Sequence, residues 1–442
     1  MLERIFKLSS RNTNVKTEVI AGLTTFLAMA YILAVNPAML SQTGMSFQAV
    51  FLATAIASGV ASILMGILAD YPVALAPGMG VNALFTYTVC MQFGYSWQAA
   101  LAAVFVSGII FVVITVTGIR KMIITAIPKD MKLAIGAGIG FFIAFIGFVN
   151  GGIVTANAAT IVSFGSFTDP AVVLAIFGLL ITIVLMLKKV NGAVFFGIII
   201  TTIVGILMGV AGFEGVFTAL PTAPTGFMSV DFDGSAVMAF ASGFKELFSE
   251  PSWVMVIFSF LFVDFFDTAG TLVAIGNNIG LVDDNGEMEN IEKALLADSI
   301  GTVFGAVLGT STVTSFVESG SGVAAGGKTG LTAVTTGICF LLAVFFYPIL
   351  SVVTGTATSA ALIIVGVLMA MQLKDIDWPD LSIAVPAFLT VITMCLSYSI
   401  SNGIAFGFIA YTVAQLAAGK VKNVQPIIFV LDVIFVLYFI TL

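Results

Sequence analysis

Residues 71–87 read YPVALAPGMGVNALFTY, an apolar stretch that is broken by prolines and glycines. Pro77 lacks the backbone N–H that a helix needs, and Gly78 and Gly80 weaken a helix through their conformational freedom. We therefore expect this stretch not to form one continuous helix. Irregular backbone at membrane depth persists only where it is buried in protein or lines a water-filled cavity. In a membrane protein, the break therefore marks a candidate functional centre.

A second interrupted stretch, GTSTVTSFVESGSGVAAGG, occupies residues 309–327. It joins a β-branched, hydroxyl-rich piece to a run of small residues. Gly- or Pro-interrupted segments at matching places in two halves of a chain indicate a transporter's central site. Close helix packing through small residues is the alternative. That alternative explains the glycines but not Glu318.

The remainder of the chain is a series of apolar runs. Of its 442 residues, 60% are hydrophobic and 9% are charged. The runs match the ~20 residues that a helix needs to cross a bilayer. We predict an all-α polytopic membrane protein with fourteen transmembrane segments. We expect it to contact the lipid bilayer and not to bind nucleic acid. The predicted segments are 19–40, 47–69, 72–92, 97–118, 131–149, 170–187, 192–211, 252–275, 294–309, 311–326, 329–351, 357–373, 382–399 and 403–419.

The basic residues predict the orientation of these segments. Clusters at the N-terminus and at Arg120 and Lys121 fall on the same side as the later lysines, so the positive-inside rule places the N-terminus in the cytoplasm. The connection 212–251 then lies outside and divides the chain into two halves of seven runs. The last apolar run, 425–442, is either a fifteenth crossing or a helix in the interface, and we favour the interface.

The two halves resemble each other at their last segments. VNGAVFFGIIITTIVG at 190–205 is similar to SNGIAFGFIAYTVAQ at 401–415. Seven crossings between them give the two segments opposite directions, which is typical of an inverted-topology repeat. Chance similarity within a small apolar alphabet is the alternative.

Acidic residues mark the middle of two segments. In VMVIFSFLFVDFFDTAGTLVAIG, residues 254–276, Asp264, Asp267, Thr268 and Thr271 form one polar stripe at helical spacing. A charge at the bilayer centre costs at least ~2.5–3.5 kcal/mol, so such acids usually face a cavity on a substrate or ion path. The alternative is an acid pair bound to a buried cation or to neighbouring hydroxyls.

Weaker candidates surround the two breaks. Asn82 and Asn36 can either bind a polar ring or cap a broken helix. Phe85 and Phe316 flank the breaks and are suited to stacking on a planar ligand, although core packing is the commoner role of phenylalanine. The chain has no histidine, and its three cysteines lie within apolar runs. We expect no cofactor, no metal site and no enzymatic activity.

At these residues the chain resembles the AzgA-type purine permeases of the nucleobase–cation symporter superfamily, most of all the guanine/hypoxanthine permeases. The resemblance covers essentially the whole chain. It is carried by AGLTTFLAMAYILAVNP (21–37), ALAPGMGVNALFTY (74–87), FLFVDFFDTAGTL (260–272) and the stretch 309–327.

The resemblance implies two inverted seven-helix repeats, with short strands in the third and tenth segments, and a core domain that moves against a gate domain. The implied core domain comprises residues 19–118 and 252–351. The implied gate domain comprises residues 119–211 and 352–420. The remaining parts are the N-terminal segment 1–18, the connection 212–251 and the tail 421–442. It also implies a homodimer in a bacterial inner membrane that couples uptake of a purine nucleobase to a cation, usually a proton. Relatives with histidines near the site differ from this chain, so a mechanism that needs them does not transfer.

The resemblance matches Asp264 and Asp267 to the family's acidic pair, Glu318 to its acid on the tenth helix and Asn82 to its asparagine on the third. The predicted proton-coupling pair is Asp264 and Asp267. The predicted substrate-binding residues are Glu318, Asp267, Asn82, Phe316, Phe85, Gly80 and Thr271.

Three other functions were weighed. An adenine-selective permease of the same family differs only in pocket shape, which the sequence does not reveal. An anion carrier of the same fold is disfavoured because three acids at the site would repel its substrate. An intramembrane aspartyl protease is disfavoured because Asp264 and Asp267 lie on one helix and cannot flank a scissile bond.

Overall fold

The computed structural model describes residues 2–117, 127–210, 221, 224, 226–229, 232–279 and 288–441. Arg120 and Lys121, used above for the orientation, lie outside the described residues, as does much of the connection 212–251.

Helices dominate the described chain. They are α1 (Leu2–Phe6), α2 (Val15–Met29), α3 (Ile32–Leu40), α4 (Phe47–Leu68), α5 (Met79–Ala83, continued by a π-helix Leu84–Gln92), α6 (Trp97–Val116), α7 (Lys129–Asn150), α8 (Pro170–Leu187), α9 (Ala193–Val210), α10 (Phe240–Ser249), α11 (Trp253–Asn278), α12 (Ile291–Leu308), α13 (Ser319–Ala324), α14 (Gly330–Ala343), α15 (Tyr347–Leu350), α16 (Gly355–Ala370), α17 (Leu381–Leu396), α18 (Ile400–Ala417) and α19 (Pro426–Thr441). Single 3₁₀ turns occupy Ser41–Thr43, Val344–Phe346, Met371–Asp375 and Val421–Asn423.

Length and apolar composition qualify eight segments of the described chain as membrane spans. The predicted total of fourteen segments remains a prediction. Three features of the fold were not predicted. The first run, 19–40, is interrupted at Ala30 and Tyr31, between α2 and α3. The connection 212–251 contains α10, and a β-hairpin of β2 (Val154–Asn157) and β3 (Ile161–Phe164) precedes α8.

Two short strands lie where the two interrupted stretches meet. β1 (Leu75–Pro77) pairs antiparallel with β4 (Val313–Ser315), with Leu75 opposite Ser315. Two further backbone bonds extend the pairing, from Gly78 N–H to the Thr312 carbonyl and from Phe316 N–H to the Ala74 carbonyl, each at 3.0 Å. The strand residues are buried. The backbone polar groups of both breaks are thus satisfied within the protein, as an apolar surrounding requires.

The long helices pack in two groups. In the first, α4 packs on α14 and α12 on α6, with α2 against α14. In the second, α7 packs on α16 and α17, and α8 and α9 pack on each other and on α16. α11 contacts both groups through α6 and α7.

The packing pairs recur between the halves of the chain. The second and eleventh predicted runs, α4 and α14, pack together, and so do the ninth and fourth, α12 and α6. Likewise, α8 on α9 corresponds to α17 on α18, and α7 on α17 to α16 on α8. Each pair maps onto its counterpart by a shift of seven runs, which is the pattern that an internal repeat produces.

Glycines allow the closest helix contacts. A Cβ on Gly66 of α4 would lie 2.3 Å from the carbonyl oxygen of Gly330 in α14, and a Cβ on Gly59 would lie 2.9 Å from that of Gly337. Atoms do not approach so closely without displacement, so these two helices depend on small residues at the contact.

We predict that Gly66→Ala destabilises the protein, because its new methyl group meets backbone rather than a movable side chain. Overpacking of this kind typically costs about 1–3 kcal/mol of the free energy of unfolding. The measurement is the thermal unfolding midpoint of the purified protein in detergent. Gly355→Ala is the matched control, since nothing lies within 4 Å of a Cβ at that position. Equal midpoints for the two variants would contradict the packing argument.

Candidate functional site

The acidic residues predicted from the sequence lie close to the β1–β4 pair. Asp267 on α11 accepts a hydrogen bond at its Oδ2 from the Thr314 hydroxyl of β4, at 3.2 Å. Gly78, directly after β1, leaves room for this carboxylate, because a Cβ there would lie 2.9 Å from Asp267 Oδ2. Glu318 directly precedes α13, and the hydroxyl of Tyr31 donates to its Oε1 at 2.5 Å.

The three predicted acids differ in their exposure to solvent. Asp267 and Glu318 are each partly exposed. Asp264 is fully buried one turn earlier on α11, where its Oδ2 accepts from the Thr302 hydroxyl at 3.3 Å. Asp267 and Glu318 are therefore the two predicted acids that a bound molecule can contact.

A fourth acid, Asp298, was missed by the sequence reasoning. It is fully buried on α12, and its Oδ1 accepts from the Thr268 hydroxyl at 2.7 Å and from the Ser315 hydroxyl at 3.4 Å. The available signal was the same as for Asp264: a carboxylate inside an apolar run, here 294–309.

The predicted asparagines bind other parts of the protein. Asn82 Oδ1 accepts a short hydrogen bond from the Ser311 hydroxyl, and Asn82 Nδ2 donates to the Pro77 carbonyl at 3.4 Å. Asn36 Nδ2 donates to the hydroxyls of Thr54 and Thr310, at 2.7 and 2.8 Å. Asn82 thus links the two interrupted stretches, 71–87 and 309–327, by a side-chain hydrogen bond.

The remaining predicted residues lie in different surroundings. Phe316 is 5% exposed and directly follows β4, whereas Phe85 is fully buried with its ring centre 6.2 Å from that of Phe260. Gly80 faces α7, because a Cβ there would lie 2.8 Å from Ile139 Cγ2. Thr271 is buried one turn after Asp267. Within the described chain, no three acids or cysteines are grouped as metal ligands would be.

The loop after α13 is fastened by a buried carboxylate. Glu18 of α2 is fully buried and accepts from the backbone N–H groups of Lys328 and Thr329, at 3.0 and 3.2 Å, and from the Thr332 hydroxyl at 2.6 Å. This contact fixes the far end of the short helix that begins beside Glu318.

An aromatic contact joins the two helix groups near the end of α7. The Tyr87 hydroxyl accepts from Gln42 and from Asn150 of α7, each at 3.3 Å, and its ring packs edge-on against Tyr398 at 5.6 Å. An open cavity of about 290 Å³ lies beside this contact. Its lining residues are Tyr87, Met91, Gln92, Ser397 and Tyr398.

Residues 16–428 match the model of a permease family, Xan_ur_permease. The chain belongs to this family. The resemblance to the AzgA-type purine permeases is likewise confirmed by full-length relatives. The guanine/hypoxanthine permease PbuG of Bacillus subtilis is 48% identical, with both chains covered completely. The adenine permease AdeP of Escherichia coli is 41% identical, covering 99% of this chain and 95% of its own.

Solved structures with low sequence identity share the fold. The transmembrane domain of a cyanobacterium bicarbonate transporter, BicA, matches with a TM-score of 0.60 at 14% identity, over 92% of this chain and 97% of that domain. The murine Solute Carrier 26 family member A9 anion transporter in the inward-facing state matches with a TM-score of 0.60 at 11% identity, over 90% of this chain and 68% of its own. With its apolar helices and its permease relatives, the chain is a multi-pass membrane protein.

We predict that Thr268→Val destabilises the permease more than Thr268→Ser. Valine keeps the size and branching of threonine but removes the hydroxyl that donates to buried Asp298, and a buried acceptor that loses its donor costs about 1–3 kcal/mol. Serine keeps the donor and loses one methyl group. Thermal unfolding midpoints in detergent measure the difference. A serine variant that is as unstable as the valine variant would assign the effect to packing instead.

Proposed function

We propose that this permease takes up purine nucleobases, guanine and hypoxanthine in particular, by symport with a proton. The observation that carries the proposal is the pair of partly exposed carboxylates, Asp267 and Glu318, beside the two chain breaks. The names of its relatives, guanine/hypoxanthine and adenine permeases, support a purine substrate.

The chemistry of the site suits a neutral heterocycle with N–H donors. A carboxylate that accepts from two adjacent N–H groups forms a strong, geometrically selective pair. Glu318 is the acceptor that we assign to the purine N–H edge, and Asp267, beside β4, is the second acceptor. The nearby ring of Phe316 provides an apolar face for the flat ligand.

The coupling proton is assigned to the acid pair on α11. Two carboxylates one turn apart in a low-dielectric site seldom both carry a charge, so one of them holds a proton. Asp264 is fully buried, whereas Asp267 is partly exposed. In this proposal the pair links binding of the substrate to binding of the proton.

Alternating access is assigned to movement between the two helix groups. The site residues belong to α11 and to the segments that pack on the first group, and Gly80 meets Ile139 of the second group directly. In the proposed elevator mechanism, the first group carries the site past the second. The Tyr87–Asn150 contact joins the groups on one side and has to break during that movement.

We predict that Glu318→Gln abolishes saturable purine uptake while the protein still reaches the membrane. The amide replaces one acceptor oxygen by a donor, which opposes the N–H edge of the substrate and removes the charge that strengthens the pair. Initial rates of labelled hypoxanthine uptake measure the loss. Glu292→Gln, at an exposed position in the first turn of α12, is the control for charge removal alone. Undiminished uptake by the Glu318 variant would remove this residue from the site.

The uptake itself is tested in a bacterium that lacks purine transporters. Labelled hypoxanthine uptake is competed with guanine, adenine, xanthine, uracil and sulfate, with and without a protonophore. We expect guanine to block uptake and the protonophore to collapse accumulation. Absence of purine uptake at normal expression would overturn the substrate. In that case, uptake of labelled sulfate would indicate an anion carrier of this fold.

A further inference from the structure

Tyr31 has no role in the sequence analysis, yet it contacts the central acid of the site. The tyrosine is fully buried at the junction of α2 and α3, and its hydroxyl donates to Glu318 Oε1 at 2.5 Å. No other side chain of the described residues is placed to donate to the Glu318 carboxylate. The orientation of this partly exposed group therefore depends on one buried phenol.

The helix that follows Tyr31 is itself fixed on the far side of β4. Five residues after Tyr31, Asn36 donates to Thr310 at 2.8 Å, just before the strand, while Tyr31 reaches Glu318 just after it. Two side chains from adjacent turns of the chain thus bracket β4. A tyrosine has two side-chain torsions and little freedom when buried, so it is a rigid support for the longer glutamate.

A fixed carboxylate matters most for a ligand that needs both of its oxygens. The Tyr31 hydroxyl uses one lone pair of Oε1, which leaves one lone pair on Oε1 and both on Oε2 for a ligand. A ring that offers two adjacent N–H donors binds such a group only when both oxygens lie in the plane of the ring. A ring with a single N–H on that edge tolerates a rotated carboxylate.

We propose that Tyr31 is a specificity-determining residue that orients Glu318 for purines with two adjacent N–H donors. Guanine has this edge, formed by the ring N1–H and the 2-amino group. Hypoxanthine has only the N1–H. The proposal rests on the purine transport proposed above and names the class of purine that the site favours.

The test compares uptake kinetics of guanine and hypoxanthine for Tyr31→Phe. Phenylalanine keeps the ring and removes only the donor to Glu318. We expect the KM for guanine to rise about tenfold and the KM for hypoxanthine about twofold, in line with the loss of one hydrogen bond to a charged group. The maximal rates should stay within about twofold of the wild type.

The control is Tyr411→Phe on α18, where the lost hydroxyl donates to the Asn423 carbonyl at 3.4 Å. It removes a buried tyrosine hydroxyl without touching Glu318, so both KM values should stay unchanged. Suppose that the wild type takes up both purines while Tyr31→Phe leaves the ratio of the guanine KM to the hypoxanthine KM unchanged. That result would overturn the role of Tyr31 but not the proposed function. Absence of purine uptake by the wild type would instead overturn the proposed function.

A second variant covers the case in which Tyr31→Phe does not reach the membrane. Glu318→Asp shortens the acid by one methylene and breaks the same contact from the other side. We expect it to lose the preference for guanine over hypoxanthine, because the shortened carboxylate no longer reaches the Tyr31 hydroxyl that orients it. A guanine preference that survives Glu318→Asp overturns the proposal.

Discussion

The pairing of β1 with β4 is the constraint on which the rest of this structure depends. Each strand is an interruption of an apolar segment, and each interruption exposes backbone groups that helical hydrogen bonds no longer satisfy. Neither break is tolerable alone in an apolar surrounding. The pairing satisfies the facing edges of the two strands, and the Ser62 hydroxyl bonds to the Leu75 N–H and carbonyl on the other edge of β1. The same pairing fixes where the short helices α5 and α13 begin, and thereby positions Gly78 and Glu318 relative to Asp267.

The hydroxyl-rich composition around these strands follows from the acids that they accompany. Thr314 donates to Asp267, Thr302 to Asp264, and Thr268 and Ser315 to Asp298. Buried carboxylates need donors, and basic residues would neutralise them permanently. Small hydroxyl groups satisfy the acids while leaving their charge states free to change, as the proposed proton coupling would require.

The sequence predicts those features whose cause is local. Hydropathy indicates the long helices, and prolines and glycines indicate that residues 71–87 cannot be one helix. The acid stripe on α11 follows from helical spacing. Which segments pair is decided by the tertiary structure, so the contact between Tyr31 and Glu318 and the contact of Gly80 with Ile139 could not be predicted from the sequence. Asp298 was missed because its neighbours on α11 and β4 are distant in sequence.

The register of the two strands also bears on how the permease is made. In the chain, 240 residues separate Leu75 from its partner Ser315. At a synthesis rate of about 5–20 residues per second, β4 follows β1 by roughly 10–50 s. For that time, the first break has entered the membrane region without the strand that satisfies it. The first half therefore needs water, the insertion machinery or a temporary partner at the edge of β1 that later faces β4, and the candidate site cannot form before the second half of the chain has entered the membrane.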